Sequence, residues 1–257
     1  MVRNPVHLFT GVRDTLRYST ATHEVIVNLT EGERSRLREL YPRLKPRAVV
    51  IPNGVDVERF YPPAPDDRAT ARARRGLGDN ETVALFVGHE FDRKGLDVAL
   101  SAPAMVACGA LLVVVGGSPR KVATATRQAE DLGVRAQVRF VGRWDDPVPF
   151  LHAADVFILP SACEANALAV LKALACGLPV VATPVGFVPD IRVDGENGYI
   201  VDRRAGQLAN RLDKLRSTDL VPRRARARAT AERHLWSLAA KQYLHLVDEI
   251  SASRTRG

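Results

Sequence analysis

Residues 155–183 read DVFILPSACEANALAVLKALACGLPVVAT. The first part is a continuous apolar run, DVFILPS, and the last part, PVVAT at Pro179, is another. Runs without polar alternation are strands buried on both faces, the habit of parallel sheets. The middle, beginning near Ala165, is rich in Ala and Leu and predicts a helix. Strand, helix and strand in this order make a parallel βαβ unit. The same signal spreads outward in EVIVN at Glu24, AVVIP at Ala48, TVALFVG at Thr82, ALLVVVGG at Ala110 and QVRFVG at Gln137. Helical segments lie between these runs. One is TEGERSRLRELY, where Thr30 as N-cap and Glu33 three residues on form a capping box. The predicted class is α/β, a Rossmann-like, doubly wound parallel sheet covered by helices on both faces.

Composition narrows the function classes. A chain of 257 residues, 46% of them hydrophobic, can bury one large core or two modest ones. The three cysteines, Cys108, Cys163 and Cys176, are odd in number and irregularly spaced, which indicates neither a disulfide framework nor a zinc site. The six histidines show no metal-ligand spacing; His7, His23, His152, His234 and His245 read as surface or helix residues. No apolar run has signal-peptide or membrane-span length, so the reading is cytoplasmic. The net charge of +8 makes acidic partners worth testing. Arginines crowd into RATARARR (Arg68–Arg75) and RRARARATAER (Arg223–Arg233). Two readings stand: a solvated basic helix face, or electrostatic contact with an anionic membrane surface, which would make the protein peripheral at the inner face. Nucleic acid is not expected, because no aromatics interleave with these arginines.

Proline and charge at YPPAPDDRATARARRG mark a junction. Residues 1–62 hold too little to fold as a separate unit and read as the tail of something larger plus a connection. Residues 63–234 read as the Rossmann-like domain. Residues 235–257 read as an amphipathic C-terminal helix, with Leu235, Leu238, Ala239, Leu246 and Ile250 near one face, packing back toward the N-terminal part.

In open α/β sheets ligands bind outside the carboxyl ends of the strands. The polar residues after each strand are therefore the candidates: His89, Arg93 and Lys94; Gly117 and Ser118; Arg143; Ser161 and Glu164. Cations on one strand end face a carboxylate on another, which suits a ligand with phosphates at one end and hydroxyls at the other. The helix predicted after Glu164 adds an anion site, because its first-turn N–H groups are free and the small Ala165, Asn166 and Ala167 allow close approach. The absence of GxGxxG after the first strand of the array and of GxxxxGK[ST] argues against a nicotinamide site and a P-loop.

IPNGVDVERFYP, FVGHEFDRKGLDVAL, the PS at Pro160, Glu164, ALACGLPVVATPVG and DGENGYIV resemble, in order and spacing, the C-terminal donor-binding half of retaining nucleotide-sugar glycosyltransferases with GT-B architecture, the group 1 family. The resemblance implies sugar transfer from a nucleotide diphosphate sugar with retention of configuration, with cationic side chains stabilising the leaving diphosphate and no cofactor or essential metal. It implies Lys94 beside the pyrophosphate and Glu164 on the donor sugar as the catalytic pair. The binding set is Gly88, His89, Arg93, Lys94, Gly117, Arg143, Ser161, Glu164 and Asn166, Ala167, Leu168 and Ala169, with Lys172. Two positions depart from the pattern. His89 stands where an arginine is usual, and Lys172 stands where a second glutamate accepts from the ribose hydroxyls. A lysine has no acceptor, so three readings of Lys172 remain: a cation displacing the ribose contact, a cation serving the diphosphate, and a snorkelling side chain that touches only solvent. The resemblance also implies that residues 1–62 are the remnant of an N-terminal acceptor domain. With only the end of the family's N-terminal half recognisable, the alternative to an enzyme is a non-catalytic or partner-dependent nucleotide-sugar-binding module, completed by a separate N-terminal domain or partner chain.

Overall fold

The computed structural model describes residues 13–20, 23–106, 109–191 and 195–255. His7 and Cys108, named above, lie outside them. Two parallel sheets form. β1 (Val25–Asn28) pairs with β2 (Arg47–Val50), connected by helix Glu31–Leu40. Thr30 caps the helix, its Oγ1 accepting from the Glu33 N–H at 3.0 Å, while the Glu33 carboxylate reaches one residue beyond the cap and accepts from the Leu29 N–H at 2.8 Å.

The larger sheet holds β3 (Val83–Val87), β4 (Leu111–Val115), β5 (Val138–Gly142), β6 (Val156–Leu159), β7 (Val180–Ala182) and β8 (Gly198–Ile200), all parallel, in the order β5-β4-β3-β6-β7-β8. Each of the seven apolar runs forms a strand. The eighth, within DGENGYIV, is three residues long and was not foreseen. The order reverses between β3 and β6, so the switch point and its crevice fall at their carboxyl ends.

Adjacent strand residues feed opposite faces, as a pleated strand requires. Leu85, Val113, Phe157 and Val180 pack with Leu171 and Leu174 on one side. Phe86, Val114, Ile158 and Val181 pack with Leu100, Leu208 and Leu212 on the other. A third, small cluster joins Ala239 and Leu246 of helix Trp236–Arg254 to Ile51, with Val25, Val27, Val49 and Ile250 against it. The C-terminal helix thus returns to β1 and β2. Its buried stripe is narrower than expected: Leu238 is 40% exposed. Where the chain passes between the two sheets its strands cross, with Val55 bridged to Leu235 and the Val55 N–H donating to His234 O at 2.8 Å. Among the described residues no helix is long and apolar enough to cross a membrane.

The Arg-rich segments correct the sequence reading in part, because four of their nine arginines point inward. On helix Pro65–Ala73, Arg68 donates to Ala154 O at 2.6 Å and to Asp155 at 2.7 Å. Arg72, 3% exposed, donates to Ala153 O at 2.9 Å, to Glu81 O at 2.6 Å, to Gly78 O and to Asp155. Asp155 also accepts from the Val83 N–H at 2.9 Å and lies 3.6 Å from Arg224, whose pKa burial pushes down to about 10. Arg228 donates to Phe60 O and Ala175 O at 2.9 and 3.0 Å. These four arginines tie helices to strand and loop carbonyls; they are neither a solvated face nor a membrane patch. His152 lies on helix Val148–Ala153, where it is buried with its Nε2 2.9 Å from Tyr61 O.

Candidate functional site

The switch point gathers most of the candidates. β3 ends at Val87, and Gly88 and His89 lead into the short helix Phe91–Lys94. β6 ends at Leu159, and Pro160 and Ser161 lead to Glu164. Lys94 Nζ donates to Glu164 Oε1 at 2.8 Å, Ser161 Oγ donates to the same oxygen at 2.9 Å, and Arg93 lies 3.1 Å from Oε2. The Glu164 side chain is only 8% exposed. Burial pushes its carboxyl up, but Lys94, Arg93 and Ser161 together outweigh that and hold it below the ordinary carboxylate range. Arg93 is itself positioned by Cys163 O at 2.7 Å and Glu90 at 2.6 Å. Lys94 spends one of its three donors on Glu164, leaving two for a ligand.

Two glycines make this geometry possible. A Cβ at Gly88 would lie 2.2 Å from Lys94 Cδ, so the lysine stem crosses the bare backbone there. Gly95 takes φ +77°, and a Cβ on it would lie 2.0 Å from Pro160 O. The turn that follows helix Phe91–Lys94 therefore meets the end of β6 backbone to backbone.

His89 is close by. The Gly117 N–H donates to its Nδ1 at 3.3 Å, and Lys121 Nζ donates to its carbonyl at 2.9 Å. Lys121 was not foreseen; it lies in the first turn of helix Pro119–Asp131, whose N-cap is Ser118. Its signal, a lysine three residues after a Gly-Ser at a strand end, was present in GGSPRK.

The segment after Glu164 differs from expectation. Its helix is Leu168–Ala175, not one starting near Ala165. Ala167 occupies the left-handed region at φ 59° as N-cap, a conformation that costs a non-glycine residue about 1–3 kcal/mol. Asn166 is buried, and both polar atoms of its side chain lack a partner among the described residues. Its carbonyl accepts from the Phe187 N–H at 3.3 Å, and Thr183 Oγ1 donates to Ser161 O at 2.7 Å. The β7 loop thereby holds the Glu164 turn. The N–H groups of Leu168 and Ala169 open the helix beside it.

Among the described residues, two candidates make no contact with the Lys94–Glu164 cluster. Arg143 follows β5 at the sheet edge, two strands from β3, and its 77% exposed side chain comes no nearer than 3.9 Å to Asp145. Lys172 is half-buried with Nζ 5.2 Å from the Phe60 ring centroid. Burial and the nearby Arg59 lower its pKa. Its head group thus lies over an aromatic face and not in solvent alone.

Residues 67–234 match the family described as glycosyl transferases group 1. The chain belongs to that family. It is 37% identical over 199 residues to a D-inositol 3-phosphate glycosyltransferase of Mycobacterium sp. (strain KMS), covering 75% of this chain and 44% of the relative. It is 35% identical over 244 residues to a GDP-mannose-dependent alpha-(1-6)-phosphatidylinositol monomannoside mannosyltransferase of Mycolicibacterium smegmatis, covering 88% and 60%. The fold is that of sucrose-phosphate synthase from Thermosynechococcus elongatus, with a TM-score of 0.84 at 24% identity, over 98% of this chain and 63% of that one. The chain thus spans about half the length of the curated relatives it matches, and this glycosyltransferase group 1 chain carries the Lys94–Glu164 rim within the matched segment.

Proposed function

We propose that this chain is the donor-binding half of a retaining glycosyltransferase that takes a sugar from a nucleotide diphosphate sugar. The observation carrying this reading is the buried Glu164 carboxylate locked by Lys94 and Arg93 at the switch point. Without ligand, the cations neutralise the carboxylate. A bound diphosphate would draw Lys94 and Arg93 toward its oxygens, and Glu164, kept ionised, would then accept from the donor sugar hydroxyls. As the diphosphate leaves, Lys94, Arg93 and the N–H groups of Leu168 and Ala169 would take up the developing charge. These cations supply charge stabilisation without a metal. In this reading residues 1–62 belong with an acceptor-binding part and residues 63–234 hold the donor. The GDP-mannose dependence of the M. smegmatis relative supports a nucleotide-sugar donor.

Calorimetric titration with UDP, GDP and ADP tests the proposal. Saturable binding of one of them, lost in Lys94→Ala, is expected. No heat and no thermal shift with any of the three at millimolar concentration would overturn it.

A further inference from the structure

The second Arg-rich segment has a use that neither the core nor the donor rim absorbs. Arg224 and Arg228 turn inward, but Arg223 reaches the edge strand β8, donating to Gly195 O at 2.7 Å and to the Tyr199 hydroxyl at 3.0 Å. Its guanidinium carbon lies 5.2 Å from the centroid of the Tyr199 ring. The Arg211 guanidinium carbon lies 4.8 Å from the same centroid, and Lys214 Nζ lies 5.4 Å from it. Tyr199 itself is 4% exposed, so the ring is a platform and not a ligand contact. Two helices, Ala205–Arg216 and Val221–Glu232, thus converge three cations on one ring.

None of the three forms an ion pair among the described residues, in contrast to Arg68, Arg72, Arg224 and Arg228. Cations held this close repel one another, and the ring's electron-rich face offsets only part of that repulsion. A multivalent anion bridging them removes the rest. A phosphomonoester matches this demand: it carries close to two charges near neutral pH and presents three acceptor oxygens to two guanidinium forks and one ammonium. Gly195 precedes β8, so the cluster lies toward the amino ends of the strands, whereas the donor rim lies at the carboxyl ends.

We propose that Arg211, Lys214 and Arg223 form a phosphomonoester-binding site at the β8 edge, separate from the donor rim. The ester can be a small soluble phosphate or the headgroup of a phosphatidic acid surface. The probes are glycerol 3-phosphate, read by calorimetry, and vesicles of phosphatidylcholine with phosphatidic acid, read by sedimentation against pure phosphatidylcholine. The variant pair is Arg211→Gln with Lys214→Gln, which keeps helix-forming residues and the Arg223 hydrogen bonds. Binding of either probe by the wild type is expected to weaken at least about tenfold in the double variant. It is expected to survive in Arg211→Lys with Lys214→Arg, and to be tighter at about pH 7.5 than at about pH 5.5, because the second phosphate proton is lost near pH 6. Binding of glycerol 3-phosphate alone assigns the site to a soluble ester, and binding of the acidic vesicles alone assigns it to a headgroup. No binding of either, or binding equal in wild type and double variant, overturns the proposal. Phosphate held at the donor rim is common to both proteins and cancels in the comparison. The same proteins titrated with UDP, GDP and ADP report on the donor reading independently.

Discussion

Replacing Glu164 by Gln removes one charge from the most heavily partnered carboxylate of the switch point. Three contacts are at stake: Lys94 at 2.8 Å, Arg93 at 3.1 Å and Ser161 at 2.9 Å. The amide keeps an oxygen for Ser161 but leaves Lys94 without a counter-charge and Arg93 with Glu90 alone. Breaking a fully buried pair from one side costs about 3–5 kcal/mol. Here the Lys94 and Arg93 side chains are 15% and 37% exposed, so water takes up part of the loss, and the expected cost is about 2 kcal/mol. In urea that moves the midpoint down by about 1 M, for an m-value of about 2 kcal/mol/M. The carboxyl is held below its ordinary value of 4.5 in the folded protein. Its contribution is therefore present in full above the unfolded pKa and is lost as the pH falls through the folded one. The gap between wild type and Glu164→Gln should be widest near neutrality and close in acid, where both side chains are neutral. Equal midpoints at neutral pH, or a gap that persists undiminished in acid, would refute the pairing argument.

Four other expectations follow from the same geometry. Gly88→Ala should displace the Lys94 stem, whose Cδ lies 2.2 Å from the new Cβ position; calorimetry should show weaker nucleotide diphosphate binding, with little change in thermal midpoint because a flexible side chain can yield. Asp155→Asn should cost about 3 kcal/mol by urea unfolding, since it unpairs the 3% exposed Arg72 together with Arg68 and Arg224. His152 is held neutral, its pKa lowered by burial despite the Tyr61 carbonyl; the unfolded chain binds that proton first, so stability falls as the pH drops below about 6.5, and His152→Phe should flatten that limb of a pH–stability curve. Lys172→Glu should tighten nucleoside and nucleotide binding by about tenfold if the carboxylate reaches a ribose, whereas a loss confined to the diphosphate would show that the lysine serves the phosphates.

The strands were legible because a parallel sheet buried on both faces demands unbroken apolar runs, and seven such runs stand out. β8 escaped because only Tyr199 and Ile200 are apolar in it, and Gly198 passes so close to Val180 that no side chain fits. The switch-point pair Lys94 and Glu164 was legible because strand ends can be read from the runs that precede them. Arg143 was read by the same rule and follows β5, two strands from β3, because a strand end states the layer but not the distance from the reversal of strand order. The helix start slipped from Ala165 to Leu168, since alanine is a good helix former and nothing local announces the left-handed Ala167. The arginine segments misled for a different reason. Composition records charge, whereas the destination of each guanidinium depends on which carbonyls the tertiary fold leaves open, and Ala153, Ala154, Phe60 and Ala175 supply those only after the layers pack.

The crossing at Val55 and Leu235 has a mechanical meaning. Everything from residue 56 to residue 234 is a loop whose two ends are fastened to each other by one parallel bridge. Tension applied at the two ends of the chain would run through β1, β2 and helix Trp236–Arg254 and short-circuit across that bridge, leaving the six-stranded sheet unloaded until the fastening gives way. Gly54 lets the strands lie that close, since a Cβ on it would sit 2.1 Å from the Trp236 nitrogen; a bulkier residue there would pry the clasp open and put the whole sheet under strain from its own tethers.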